Sequence, residues 1–139
     1  MTALLDVNVL IALVWPNHVG HQAARTWFAE ASAAGWATTP MTESGFVRVS
    51  SNRRALPRAT TPAIAVEMLG RLRSLPGHAF WPDGVELVTG RSEVVLTGHQ
   101  QVTDAHLLAL CRANGGQFVT FDRAVSAWGD DDEVVLLAP

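Results

Sequence analysis

Ala3-Leu4-Leu5-Asp6-Val7-Asn8-Val9-Leu10-Ile11-Ala12-Leu13-Val14 is the stretch whose reading decides the fold. Ala3 to Leu5 are apolar without the alternation of a strand that has one wet face, and Asp6 ends the run. Val9 to Val14 continue apolar. The pattern predicts a buried strand, a turn and then a helix. A carboxylate at the end of a buried apolar strand is costly without a partner, which makes Asp6 the first candidate functional residue. Asp6 and Asn8 also interrupt the apolar stretch that runs to Trp15, and no basic region precedes it. Neither a signal peptide nor a membrane span is expected, so the prediction is a soluble, cytoplasmic protein with no membrane partner.

The rest of the chain repeats the short-strand, helix rhythm. From His18 to Ala34, Ala23, Ala24, Trp27, Phe28 and Ala31 recur at three and four residues, and Gly35 closes the helix. Trp36 to Thr39 read as a second strand stopped by Pro40, and Thr42 is placed to cap a helix to Val49. Ile64, Met68, Leu69, Leu72 and Leu75 share one face of a helix over 63–75, introduced by Pro62 and stopped by Pro76-Gly77. Between His78 and Gln101 the pattern is irregular, with a Trp81–Gly84 turn and one strand to be sought at Val85–Val88 or Val94–Leu96. Thr103 is read as the cap of a helix that ends at Gly115-Gly116. Gln117 to Phe121 form a strand into Asp122, followed by a short helix (Arg123–Trp128), an acidic turn (Asp130–Glu133) and a last strand (Val134–Leu137). This alternation, without repeats or linkers, predicts one α/β domain over residues 1–139 with three α/β/α layers and a mostly parallel central sheet.

Composition narrows the chemistry. The chain has 139 residues, 48% hydrophobic and 17% charged, against about 25% charged in an average domain, so its surface is short of charge. All ten basic residues are arginine and there is no tyrosine. Without lysine there is no P-loop phosphate contact, no Schiff base and no lysine beside an acyl phosphate; tyrosine nucleophiles are excluded outright. Cys111, the lone cysteine, has no partner for an internal disulfide and reads as core in a reducing compartment.

Four acids share a placement. Asp6 and Asp122 follow strands, while Glu43 and Asp104 open helices. In an open parallel sheet the carboxyl ends of the strands and the following helix starts lie along one edge, where ligands bind. Taken singly, each acid is explained as well by the helix dipole or by a turn. Gathered together, with no lysine nearby, they repel unless a cation enters, and oxygen-only donors select a hard ion, Mg²⁺ with Mn²⁺ as a substitute.

Leu4-Leu-Asp6-Val-Asn8-Val-Leu-Ile11, Thr42-Glu43-Ser-Gly-Phe-Val-Arg48, Val102-Thr-Asp104-Ala and Phe118-Val-Thr-Phe-Asp122, in this order, resemble the motifs of a PIN domain. More narrowly, the chain is similar to VapC-type toxin ribonucleases of type II toxin–antitoxin pairs, and the resemblance spans essentially its whole length. It implies that Asp6, Glu43, Asp104 and Asp122 are the acidic quartet of a Mg²⁺-dependent endoribonuclease. Asp6, Asp104 and Asp122 fall to the metal, and Asn8, Thr42 and Thr120 occupy polar positions near the pocket. It further implies a homodimer and a cognate VapB-type antitoxin that covers the pocket. The competing reading is a non-catalytic module that keeps the fold for protein binding. An Asp-based phosphatase is disfavoured because Asp6-Val-Asn8 lacks a second aspartate.

Arg48, Arg53, Arg54 and Arg58 lie in one strip, with no acid between Glu43 and Glu67. Either the strip is a solvated helix end and loop, or its guanidinium groups grip an RNA backbone. His18 and His21 are three apart but lack a third soft ligand, and read as surface or capping residues; His106 reads as structural. Trp27 reads as core, whereas Trp15 and Trp36 are candidates to line a partner surface.

Overall fold

The computed structural model describes residues 1–87, 96 and 98–139. Its sheet has five strands, all parallel, in the order β3-β2-β1-β4-β5. These are β1 (Ala3–Leu5), β2 (Trp36–Thr38), β3 (His78–Phe80), β4 (Gln117–Thr120) and β5 (Val134–Leu136). Around them pack α1 (Val7–Val14), α2 (His21–Ala31), α3 (Pro40–Ser50), α4 (Pro62–Arg73), α5 (Gln101–Ala113) and α6 (Arg123–Ser126).

Helices cover both faces of the sheet, which is why β1 is apolar at every position. Ala3 and Leu5 pack with Val9, Leu10, Ala24, Phe46, Leu69 and Leu72 from α1 to α4. Leu4, one residue out of phase, packs on the other face with Leu107, Leu108, Leu110 and Cys111 of α5, and with Val125. Leu4 and Leu5 are wholly buried, and truncating either to alanine costs about 2–5 kcal/mol. Gly45 brings α3 against α1: a Cβ there would stand 2.6 Å from Val7 Cγ2.

Several local expectations are corrected. Pro40 does not merely end a strand; it is the first residue of α3, and the cap is Thr39, not Thr42. Thr42 is the third helical residue, its hydroxyl accepting from Thr39 N at 2.9 Å while Thr39 Oγ1 accepts from Thr42 N at 3.2 Å. The two threonines form a reciprocal box in which Thr42 takes the place usual for Glu or Gln. α5 begins at Gln101 without a side-chain cap, so Thr103 lies inside it. α2 starts at His21, after a loop that holds His18, and ends in a 3-10 turn at Ser32–Ala34 before Gly35 (φ 107°). α6 stops at Ser126 and β5 at Leu136. The missing strand is His78–Phe80, an edge strand too short and too exposed to show periodicity. Val85 to Leu87 are not strand, and residues 88–95 and 97 lie outside the described residues.

Candidate active site

β1 connects forward to β2 on one side, whereas β4 returns to its other side. The strand order therefore reverses between β1 and β4, the position where open parallel sheets bind ligands beyond the strand ends. Leu5 pairs with Val119, which sets Asp6 and Thr120 side by side at that point.

Asp6 is buried, at 7% exposure. It caps α1, with Oδ1 accepting from Val7 N at 2.7 Å. Its other oxygen accepts from Thr120 Oγ1 at 2.6 Å. The same threonine oxygen accepts from Asp122 N at 3.0 Å and from Asn8 Nδ2 at 3.4 Å. Asn8 Oδ1 in turn accepts from Phe121 N at 3.4 Å. One donor and two acceptor positions exhaust a hydroxyl, so Thr120 is fully used in tying the two strand ends together.

Asp104, in the first turn of α5, and Asp122, the cap of α6, complete the acidic wall. A cleft of about 360 Å³ is lined by Asp6, Asn8, His18, Leu56, Asp104 and Asp122, together with Val7, Ile11, Val49 and Ala55. Burial, and then the charges of Asp6 and Asp122, push the Asp104 pKa up to about 7. Burial raises Asp6 as well, against the hydrogen bonds from Thr120 and Val7, with the Asp122 charge adding to the rise. Like charge gathered in this way is relieved by a proton or by a bound cation.

The donor set suits a hard ion: every polar side-chain ligand available from these acids and Asn8 is an oxygen. Among the described residues no three Asp, Glu, His or Cys side chains converge closely enough to hold an ion between them. A magnesium-sized ion does not need such a group, since it keeps several waters and takes only one or two carboxylates directly.

Glu43 stands apart from this cleft. Its Oε2 accepts from Thr38 Oγ1 at 2.6 Å, and its Oε1 meets Arg73 Nη1 at 3.2 Å. His78 Nε2 lies 2.8 Å from the same threonine oxygen, and the Arg73 guanidinium sits 5.3 Å from the Phe80 ring centroid. The structure brings together three of the four acids, and the fourth is engaged at the adjoining edge by an arginine of α4. Thr42, fully buried in its capping box, lines no part of the cleft.

Arg48, Arg53, Arg54 and Arg58 are all exposed. Ala55 and Leu56, between them in the chain, line the acidic cleft, whereas none of the four arginines does. The sequence gives His18 no more than a surface or capping role and does not single out Thr38. His18 lines the cleft, its Nδ1 accepting from Gly20 N at 2.9 Å; burial, then the His21 charge, lower its pKa. Only a prediction of the loop before α2 would have signalled it. His21 Nδ1 bonds Ala12 O at 2.7 Å, a capping role. Trp36 is wholly buried in the core and lines no partner surface, while Trp15 donates to Ser50 Oγ at 3.1 Å.

The chain is thus a parallel α/β domain with three acids gathered at its sheet's switch point. Residues 3–129 match the family model of the PIN domain. The chain is 56% identical to Ribonuclease VapC39 of Mycobacterium tuberculosis over 128 residues, covering 91% of this chain and 92% of that protein. It is 50% identical to Ribonuclease VapC38 of the same organism, covering 88% and 86%. Among solved structures, VapBC2 from Rickettsia felis bound to a DNA fragment of its promoter superposes with a TM-score of 0.69 at 10% identity, covering 99% of this chain and 100% of that one. Mycobacterium tuberculosis VapC20, a toxin that cleaves the sarcin-ricin loop, superposes with a TM-score of 0.62 at 17% identity, covering 91% and 95%. The chain belongs to the PIN domain family, in the branch of its VapC relatives.

Proposed function

We propose that this protein is the toxin of a type II toxin–antitoxin pair, a Mg²⁺-dependent endoribonuclease that hydrolyses RNA phosphodiester bonds. The observation that carries the reading is the convergence of Asp6, Asp104 and Asp122 on one cleft. The names of its relatives, ribonucleases at 56% and 50% identity, support it.

Asp6 and Asp104 would hold Mg²⁺, or Mn²⁺ in its place, directly or through water, with Asp122 completing the shell or orienting the attacking water, while Glu43 stands outside it against Arg73. When bound, the ion supplies Lewis acidity that activates water and offsets charge on the phosphoryl group. Thr120 fixes the direction of Asp6, and Asn8 fixes Phe121 and with it the start of the Asp122 turn. Arg48, Arg53, Arg54 and Arg58 bind the flanking backbone phosphates, each guanidinium suited to bidentate contact. A VapB-type antitoxin and a second copy of this chain are the proposed partners. The apolar residues Ile64 and Val66 on α4, and Leu75 just beyond it, are exposed and available for such contacts. No helix among the described residues is long and apolar enough to cross a membrane.

Cleavage of structured RNA in Mg²⁺ by the wild type, Asp6→Asn and Asp104→Asn tests the proposal. Each substitution lowers the rate by about 100-fold or more. Equal rates in all three proteins would overturn the metal mechanism.

A further inference from the structure

A second groove opens off the acidic cleft. It measures about 210 Å³ and is lined by Trp15, Asn17, His18, Leu56, Pro57 and Arg58, along with Ala55. His18, Ala55 and Leu56 belong to both hollows, so the groove and the cleft adjoin.

The walls of this groove are fixed. Trp15 is held at both ends, its backbone N–H on Ile11 O at 2.9 Å and its indole N–H on Ser50 Oγ. His18 N bonds Trp15 O at 3.1 Å, and His21 N bonds His18 O at 3.0 Å, closing the loop into α2. Because His18 Nδ1 accepts the Gly20 N–H, the neutral ring carries its proton on Nε2, which leaves that nitrogen as a donor. The His18 ring lies against Phe121, with centroids 6.1 Å apart. Gly20 makes this contact possible: a Cβ there would come within 2.5 Å of the Phe121 ring. Phe121 sits between Thr120 and Asp122, so the loop is packed directly onto the acidic end of β4.

We infer that this groove is a nucleotide subsite that takes the residue next to the scissile phosphate of a single-stranded RNA. The proposal rests on the ribonuclease reading above. Aromatic and apolar walls at Trp15, His18 and Pro57 match a base, which needs a flat apolar enclosure and tolerates any sequence. Asn17 and the His18 Nε2–H meet base edges or sugar hydroxyls, and Arg58 meets the next phosphate. A duplex keeps its bases stacked inside, so the groove favours unpaired RNA. The apolar lining would also admit a peptide, but a peptide has no need of the run of arginines that continues from Arg58 to Arg53.

The test is binding of a short, labelled, single-stranded RNA of mixed sequence in EDTA, followed by fluorescence anisotropy, beside cleavage kinetics in Mg²⁺. His18→Ala weakens binding by about tenfold, and Arg58→Gln by several-fold with a shallower salt dependence. His18→Gln, which keeps an acceptor for Gly20 N–H, separates loss of the ring from loss of the loop. In cleavage, His18→Ala raises KM more than it lowers kcat. Asp104→Asn lowers cleavage by about 100-fold or more yet binds the oligonucleotide at least as tightly as the wild type. If His18→Ala and Arg58→Gln both bind within about twofold of wild type, or the oligonucleotide fails to bind the wild type, the subsite is overturned. If binding depends on His18 but the wild type cuts nothing in Mg²⁺, the subsite stands and the nuclease reading falls.

Discussion

Thr120 Oγ1 donates to Asp6 Oδ2 at 2.6 Å across the boundary between β1 and β4. Because both strands end there in parallel, this one hydrogen bond sets the direction of a buried carboxylate that the fold leaves with few other donors. Thr120→Val keeps the shape and removes the hydroxyl. Asp6 then loses its donor, and Asn8 and the Asp122 N–H lose their acceptor. The expected result is a fall in RNA cleavage of about 10–100-fold and a loss of about 1–3 kcal/mol in urea unfolding. Thr120→Ser restores both. Unchanged kinetics in the valine variant would remove Thr120 from any positioning role.

The sequence exposed this relationship only in part. Apolar runs and breakers located β1, β2 and β4, because a strand covered on both faces cannot hide its composition. Asp6 and Asp122 stand out in the sequence as acids at the ends of apolar runs, and Asp104 as an acid that opens a helix. Side-chain partners across the sheet were not legible. Nothing in Thr120 announces that it bridges to residue 6, since that depends on the β1–β4 register. Likewise, His78 to Phe80 show no pattern because three residues at a sheet edge have one neighbour and little buried area. Glu43 belongs to the acidic quartet that the resemblance implies but not to its three metal positions; its engagement follows from where α4 ends, a tertiary fact carried by Arg73.

The Glu43–Arg73 pair makes a prediction of its own. The Arg73 side chain is 41% exposed, so solvent screens the pair and its coupling in a double-mutant cycle with Glu43→Gln and Arg73→Met is below about 1 kcal/mol. Its effect on the site is larger than its effect on stability. Arg73, at the end of α4, holds the Glu43 carboxylate away from the cleft, so Glu43→Gln weakens Mn²⁺ binding less than Asp104→Asn does. Titration calorimetry checks this; an equal loss for the two variants would put Glu43 in the ion's inner shell.

Arg53 and Arg54 are exposed and make a separable contribution. Changing both to Gln leaves thermal stability unchanged within about 0.5 kcal/mol. RNA affinity falls at low salt, and the slope of log K against log salt becomes shallower by about 0.7 for each phosphate that is no longer neutralised. Anisotropy titrations at a series of salt concentrations measure it. If affinity and slope both stay at wild-type values, the strip is solvated surface and the backbone path lies elsewhere.

Asp104 supplies the pH prediction. Its folded pKa of about 7, against an ordinary 3.8, reflects burial and the charges of Asp6 and Asp122. A carboxyl raised on folding holds its proton more tightly in the folded state than in the unfolded one. In the metal-free protein its full contribution to stability is therefore present below about pH 4 and is lost as pH rises through about 7. Thermal unfolding in EDTA then shows Asp104→Asn more stable than wild type at pH 8, with the two converging towards pH 4. Magnesium reverses the order at pH 8, because an ion binds the ionised cleft of the wild type and has less to bind in the variant. At pH 5 the ion shifts the wild-type midpoint much less, since Asp104 is then protonated. A magnesium-induced shift of the same size at pH 5 and pH 8, or one retained in full by Asp104→Asn, would show that the ion binds without Asp104.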